Sequence, residues 1–456
     1  MNLASGALFA RHALLPQGWQ RDVLLEWDDH GDLTRVTPGA AAPANLAHAE
    51  YVLPGMINLH SHAFQRALGG LTEQGSDGPD SFWTWRDLMY RFAARITPDQ
   101  IEAIAAQLFA ECLRHGYTSV CEFHYLHRDV DGASYARPAE TAERVAAAGQ
   151  LAGMGVTLLP VLYSHAGFCA QPLTPGQARF RTNVDDVLAI VNGLAPLRGG
   201  QLEVGAAPHS LRAAGIDAIR ALAAGLPAER PLHIHIAEQQ AEVAQCLAHT
   251  GQRPVACLLD QIALDPRWCL VHATHLDENE VTALAASGAV AGLCPTTEAN
   301  LGDGLFPLAP YIAAGGRFGI GSDSHVSQSP VEELRWLEYG QRLQHRQRNV
   351  AHVPAQRSVG DFLWQAALAG GAQATGRRVG ALAPGRRADL LVLDANHPNL
   401  DGVDHAEVLS RLVFCGNDNL VRDVLCGGRW VVQAGRHRAQ EAIALRYRQA
   451  LRDLRS

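Results

Sequence analysis

The chain has 456 residues, 47% of them hydrophobic, enough for a large core and for two domains. A net charge of -8 and a pI near 6.2 argue against nucleic acid or an anionic membrane as a default partner. No apolar run reaches the length of a membrane span, and the first residues do not read as a secretory leader. Nine cysteines (Cys112, Cys121, Cys169, Cys246, Cys257, Cys269, Cys294, Cys415 and Cys426) lie scattered without a Cys-x-x-Cys pair, which suits buried thiols in a reducing cytoplasm. All 38 basic residues are arginine; there is no lysine.

Residues 1–50 read as short strands, with 23–27 and 33–36 flanking a turn at 28–32, followed by an alanine-rich linker at 40–49. From there the rhythm changes. Strands are predicted at 52–61, 117–125, 156–163, 202–208, 231–237, 268–275, 288–294 and 317–322, with helical patterns between them at 98–115, 138–152, 212–225, 277–287 and 328–345. Eight strands with helical crossovers predict an α/β fold, a (β/α)8 TIM-like barrel over 53–379. An open doubly wound sheet is the alternative, but no Gly-x-Gly-x-x-Gly turn follows the first strand. Residues 66–97, holding Trp83, Trp85 and Arg86, are expected as a long loop over the barrel mouth. Short strands return at 388–393, 420–426 and 430–432, and 438–454 reads as a terminal helix. The two chain ends, 1–52 and 380–456, are therefore expected to pair in one small β-sandwich beside the barrel.

In such a barrel the catalytic groups come from the C-terminal ends of the strands. His60 and His62 alternate onto one face at the end of the first strand. Glu122, His124 and Tyr125 end the second, and His209 with Arg212 the fourth; His233, His235 and Glu238 end the fifth, His272 and His275 the sixth, Asp323 and His325 the eighth. His60, His62, His235 and Asp323 offer three imidazoles and a carboxylate, a natural zinc set with a place left for water. Glu238 is placed to carry protons, and His272 to hydrogen-bond a hydroxide or oxyanion. Each has a bland alternative. His233 would face away from His235, and His124, His275 and His325 would be loop or supporting groups. Asp323 could cap the following helix, and Glu238 could be an ordinary first-turn carboxylate.

Taken together, Pro54-Gly55-Met-Ile-Asn-Leu-His60-Ser-His62, His235-Ile-Ala-Glu238, Val271-His272-Ala, Gly321-Ser-Asp323-Ser and Gly380-Ala-Leu-Ala-Pro-Gly385-Arg-Arg-Ala-Asp389-Leu resemble the amidohydrolase superfamily. The resemblance implies a metal-holding barrel beside a β-sandwich built from both termini. Some members bridge two metals with a carboxylated lysine, which a chain without lysine cannot do. The His-x-x-Glu resembles the mononuclear branch that releases ammonia from amidine-like carbons. Within it, His60-Ser-His-Ala-Phe-Gln65-Arg-Ala-Leu-Gly-Gly-Leu, Phe82-Trp-Thr-Trp-Arg86, Glu122-Phe-His-Tyr125 and Ala207-Pro-His209-Ser-Leu-Arg212 are similar to the formimidoylglutamate deiminases of histidine degradation.

The resemblance implies metal ligation by His60, His62, His235 and Asp323, proton transfer by Glu238, His272 and Asp323, and substrate binding by Gln65, Arg86, Tyr125, His209 and Arg212. Two guanidiniums suit the two carboxylates of N-formimidoyl-L-glutamate. One Zn²⁺ per chain is expected, although the same ligands accept Fe²⁺ or another divalent ion. A small-molecule substrate, a cytoplasmic location and a homodimer complete the expectation. The alternatives are an aminohydrolase for a purine or another formimidoyl amino acid, an imidazolonepropionase-like hydrolase, and a non-catalytic scaffold.

Overall fold

The computed structural model of the protein describes residues 6–75 and 82–455. The stretch 76–81 of the expected 66–97 loop, and the extreme ends of the two terminal segments, lie outside the described residues. Four strands open the chain: β1 (Gly6–Leu15), β2 (Gly18–Trp27), β3 (Leu33–Thr37) and β4 (His48–Pro54). The barrel wall follows as β5 (Met56–Ser61), β6 (Tyr117–His124), β7 (Gly155–Leu162), β8 (Leu202–Val204), β9 (Ala207–Pro208), β10 (Leu232–Ile236), β11 (Trp268–His272), β12 (Val290–Leu293) and β13 (Arg317–Ile320). The last strands are β14 (Leu390–Leu393), β15 (Val421–Cys426), β16 (Arg429–Gln433) and β17 (Arg436–His437).

The terminal strands lie in one hydrogen-bonded sheet ordered β17-β16-β15-β14-β4-β1-β2-β3, so both chain ends share it. Its alternation shows what it does. In β14, Leu390 and Val392 pack with Val23, Leu25 and Val52 in a small separate core, whereas Leu391 and Leu393 join the core of the barrel. The sheet thus has its own interior and also buries a face against the barrel.

The single strand predicted at 52–61 is divided at Gly55. β4 ends in the terminal sheet, and β5 begins in the barrel. Gly55 N–H donates to the Asp389 carbonyl (3.0 Å), while the next amide, of Met56, donates to Gly116 (3.0 Å). A Cβ on Gly55 would lie 2.1 Å from Thr118 Oγ1, so only glycine fits this crossing.

The barrel wall consists of two parallel runs, β5-β6-β7-β8 and β10-β11-β12-β13. Two parallel bridges join them, Ala206 to Leu232 and Ser61 to Asp323. The second is reinforced by Asp323 N–H to His60 O (3.0 Å) and His62 N–H to Asp323 O (3.2 Å). The seam that closes the barrel therefore also ties Asp323 to the two histidines of β5.

The 66–97 connection is not a loop throughout. It contains a 3₁₀ turn at Ala63–Leu68 and a helix, α1 (Phe82–Ala93). It leads into α2 (Pro98–His115), whose start is set by Thr97 and Gln100 in a capping box and whose end is set by left-handed Gly116.

The helix Val359–Thr375 lies against the barrel floor through glycines. A Cβ at Gly370 would sit 1.9 Å from the Phe318 carbonyl oxygen of β13, and one at Gly371 2.7 Å from Ile57 Cβ of β5. Gly370→Ala is expected to cost about 1–3 kcal/mol through overpacking. The check is thermal unfolding: an unchanged melting temperature would show that the helix can back away freely.

Candidate active site

Three imidazoles and one carboxylate meet at the closing seam. His62 Nδ1 lies 2.9 Å from the Phe123 carbonyl oxygen, and His235 Nδ1 lies 3.0 Å from the His209 carbonyl oxygen. A carbonyl only accepts, so both rings carry their proton on Nδ1. Burial also holds His60, His62 and His235 below their ordinary values, His60 at about 3, so these rings are neutral and the Nε2 atoms of His62 and His235 are bare lone pairs.

These lone pairs converge. His60 Nε2 lies 3.2 Å from His62 Nε2 and 3.0 Å from His235 Nε2, and Asp323 Oδ1 is 3.4 and 3.3 Å from the Nε2 atoms of His60 and His62. One proton on His60 could serve only one of three facing acceptors. A divalent ion satisfies them all: ligand bonds of about 2.0–2.1 Å at tetrahedral angles put ligand atoms about 3.3–3.4 Å apart. The donor set therefore fits a metal. The Asp323 carboxyl is held low; burial opposes this, and His60, His62 and His272 outweigh it.

The strand ends turn sharply to aim these groups inward. Ala237, His272, Ala273 and Asp323 have φ of 50°, 68°, 49° and 45°, left-handed conformations that non-glycine residues adopt at a cost. They stand beside or at the residues that matter: Glu238 follows Ala237, and His272 and Asp323 are themselves strained.

Glu238 is buried and His272 fully so. His272 Nε2 stands 3.8 Å from Glu238 Oε1 and 3.8 Å from Asp323 Oδ2, between the two carboxylates. Burial pushes Glu238 up to about 7, partly offset by His272 and Arg212. For His272, burial acts downward, but Glu238, Glu298 and Asp323 outweigh it and raise the ring to about 10. A carboxyl that exchanges its proton near neutrality beside an imidazolium suits proton transfer.

Above this centre a narrow cleft brings together Gln65, Arg86, Tyr125, His209 and Arg212. Gln65 Nε2 donates to Tyr125 OH (2.8 Å), leaving Gln65 Oε1 without a partner. His209 packs its ring against Tyr163 and His235, with centroids 4.6 and 4.9 Å away. The guanidiniums of Arg86 and Arg212 lie 4.5 and 5.9 Å from the Trp83 ring.

Arg212 is 7% exposed, yet it has no ion pair or hydrogen bond among the described residues, and its Nε has no partner. The other buried arginines are anchored: Arg179 to Ile96 O, Arg230 to Glu203, Arg377 to Ser119 and Arg387 to Asp32. A buried cation with no contact partner is expensive, and Glu242 and Glu238 act on this one only from beyond ion-pair distance.

The remaining expected residues do other work. His233 Nε2 bonds the Ala374 carbonyl (2.9 Å), away from the cleft, and His124 bonds Thr141 (3.0 Å). His325 bridges Ser61 and Ser322, and His275 is half-buried. Asp323 does not cap the following helix; Ser329 does. Glu122 accepts from Ser61 Oγ and from Ala63 N–H (2.7 Å), holding the turn that carries His62.

Two groups escape the sequence reading. Tyr163, just past β7, lines the cleft. Glu298, in the helix Pro295–Leu301 after β12, reaches His272 Nδ1 at 3.2 Å. The ends of the third and seventh strands were the places to look.

Residues 51–431 match the Amidohydrolase family, and residues 6–47 match the N-terminal domain of formimidoylglutamate deiminase HutF. The chain is 54% identical over 449 residues to a formimidoylglutamate deiminase of Pseudomonas aeruginosa, covering 98% of this chain and 99% of the relative. It is 29% identical to a 5-methylthioadenosine/S-adenosylhomocysteine deaminase of Natronomonas pharaonis, covering 93% and 91%. Among solved structures, an amidohydrolase from Brucella melitensis superposes with a TM-score of 0.94 at 43% identity, over 99% of this chain and 100% of the other. An adenosine deaminase from Xanthomonas campestris with bound zinc shares the fold, with a TM-score of 0.80 at 23% identity over 98% of both chains.

Proposed function

The chain belongs to the amidohydrolase family, and from that premise we infer that it hydrolyses N-formimidoyl-L-glutamate to N-formyl-L-glutamate and ammonia, in histidine degradation. The observation that carries the substrate is the pair of arginines, Arg86 and Arg212, facing a cleft whose floor is the three-histidine, one-aspartate centre. Their planar forks suit the two carboxylates of a glutamate. Gln65, Tyr125 and His209 line the path from those carboxylates to the reacting carbon.

His60, His62, His235 and Asp323 would hold the metal, which we assign as zinc from its preference for nitrogen and oxygen donors in tetrahedral array. Bound there, it supplies hydroxide near neutral pH by lowering the pKa of water. Asp323 steadies the proton of the attacking oxygen. Addition to the formimidoyl carbon makes a tetrahedral carbon bearing one oxygen and two nitrogens. His272 donates a hydrogen bond to that oxygen as charge develops on it. Glu238 hands a proton to the terminal nitrogen, which departs as ammonia, and the C–N bond to the amino acid survives. A cytoplasmic location and a homodimer complete the proposal; the first draws on nine free cysteines and the second on the prevalence of symmetric dimers.

Product analysis tests the choice of leaving group. One N-formyl-L-glutamate and one ammonia are expected per turnover. Free glutamate with formamide would mean that Glu238 serves the other nitrogen and that the deiminase reading is wrong.

A further inference from the structure

A second carboxylate stands behind His272, outside the set assigned to metal, proton transfer and substrate. Glu298 Oε1 lies 3.2 Å from His272 Nδ1 and also accepts the Cys294 N–H at 2.9 Å. Glu298 is 5% exposed and His272 1%. Among the described residues the ring makes no other hydrogen bond, since its Nε2 contacts with Glu238 and Asp323 are both 3.8 Å. It sits on a left-handed backbone residue, so its direction is not set by ordinary strand geometry.

We propose that Glu298 is a positioning residue for the reaction: it receives the Nδ1 proton of His272 and thereby fixes the ring with Nε2 facing the cleft between Glu238 and Asp323. Three features support this. The backbone amide of Cys294 pins the same oxygen that meets the ring, so the carboxylate cannot swing away without orphaning a buried N–H. Glu298 rides on the helix after β12 and reaches back across the barrel top to β11, joining two neighbouring strand ends. With Nδ1 committed to a carboxylate, the ring's other edge is left for the substrate side. The bland role for Glu298 is to tie down the start of its own helix through Cys294, and that role involves only the amide.

The inference rests on His272 acting in the proposed reaction, and the test keeps the two apart. Glu298→Ala and Glu298→Gln are each made alone and in a His272→Gln background, and kcat, KM, bound metal and melting temperature are measured with N-formimidoyl-L-glutamate. Glu298→Ala is expected to lower kcat about 10–100-fold with KM changed less than about 3-fold and metal retained. Glu298→Gln keeps an oxygen acceptor for both the ring and the amide, and is expected to recover most of that loss. In the His272→Gln background, Glu298→Ala should cost less than about 3-fold further, because its partner is already gone.

Equal losses in both backgrounds would overturn the positioning role, as would a raised KM with normal kcat. A lowered melting temperature with unchanged kcat would reduce Glu298 to a helix tether and overturn it too. If His272→Gln itself turned over normally, the role of His272 in the proposed reaction would fall instead, and the positioning role with it. If Glu298→Gln should fail to fold, the Glu298→Ala pair alone still decides between coupled and independent loss.

Discussion

Glu238→Gln is expected to lower kcat by about 10²–10⁴-fold, the range for removing a general acid–base group, while the protein keeps its metal. Glu238 follows β10 by two residues, is buried, and faces His272 across 3.8 Å, yet it is not one of the three imidazoles and the carboxylate that converge. Glutamine keeps the shape and removes the exchangeable proton. The pH dependence carries the sign. Burial pushes the Glu238 carboxyl up to about 7, so it is protonated below that and can donate; kcat should fall as pH rises through about 7. The Glu238→Gln profile should lack that limb. Near-normal turnover of the variant, with metal in place, would remove Glu238 from the proton path.

Arg212→Met should cost about 2–5 kcal/mol in kcat/KM, roughly 30- to 5,000-fold, the range for losing one partner of a buried charged contact. Arg212 is the buried arginine whose guanidinium makes no hydrogen bond or ion pair among the described residues, so a contact partner is expected to arrive with the substrate. Methionine fills a similar volume beside Trp83 and removes the cation. Free of an unpaired buried charge, the variant should be no less stable than the parent, and its melting temperature separates a recognition defect from a folding defect. A small effect on kcat/KM would show that Arg212 does not meet the substrate carboxylate. The variant tests recognition independently of the metal centre.

The convergence of His60 and His62 was legible because strand alternation is a rigid rule: two residues apart, they share a face. By the same rule His233 shares a face with His235, so the expectation that it faces away has no basis in alternation. What separates it is its bond to the Ala374 carbonyl (2.9 Å). The same rule placed the terminal strands, though not the point at which one strand passes from the terminal sheet into the barrel. That point is Gly55, and its reason, a close approach to Thr118, lies 63 residues away in sequence. The helix α1 was hidden differently. Phe82-Trp83-Thr84-Trp85 opens on residues of modest helix propensity, so its helical state comes from packing over the cleft. Glu298 was unread because a carboxylate four residues beyond a strand end looks like a helix-start residue, and it does accept that amide. Its second contact, to His272, depends on the barrel bringing two strand ends side by side.

The most direct test of the account is ammonia release from purified, zinc-loaded protein given N-formimidoyl-L-glutamate, with the aspartate analogue, guanine and imidazolonepropionate in parallel. Fast release is expected from the glutamate compound, with kcat/KM lower by orders of magnitude for the others. Silence on the glutamate compound with turnover of guanine or the aspartate analogue, at verified zinc content, would contradict the substrate assignment.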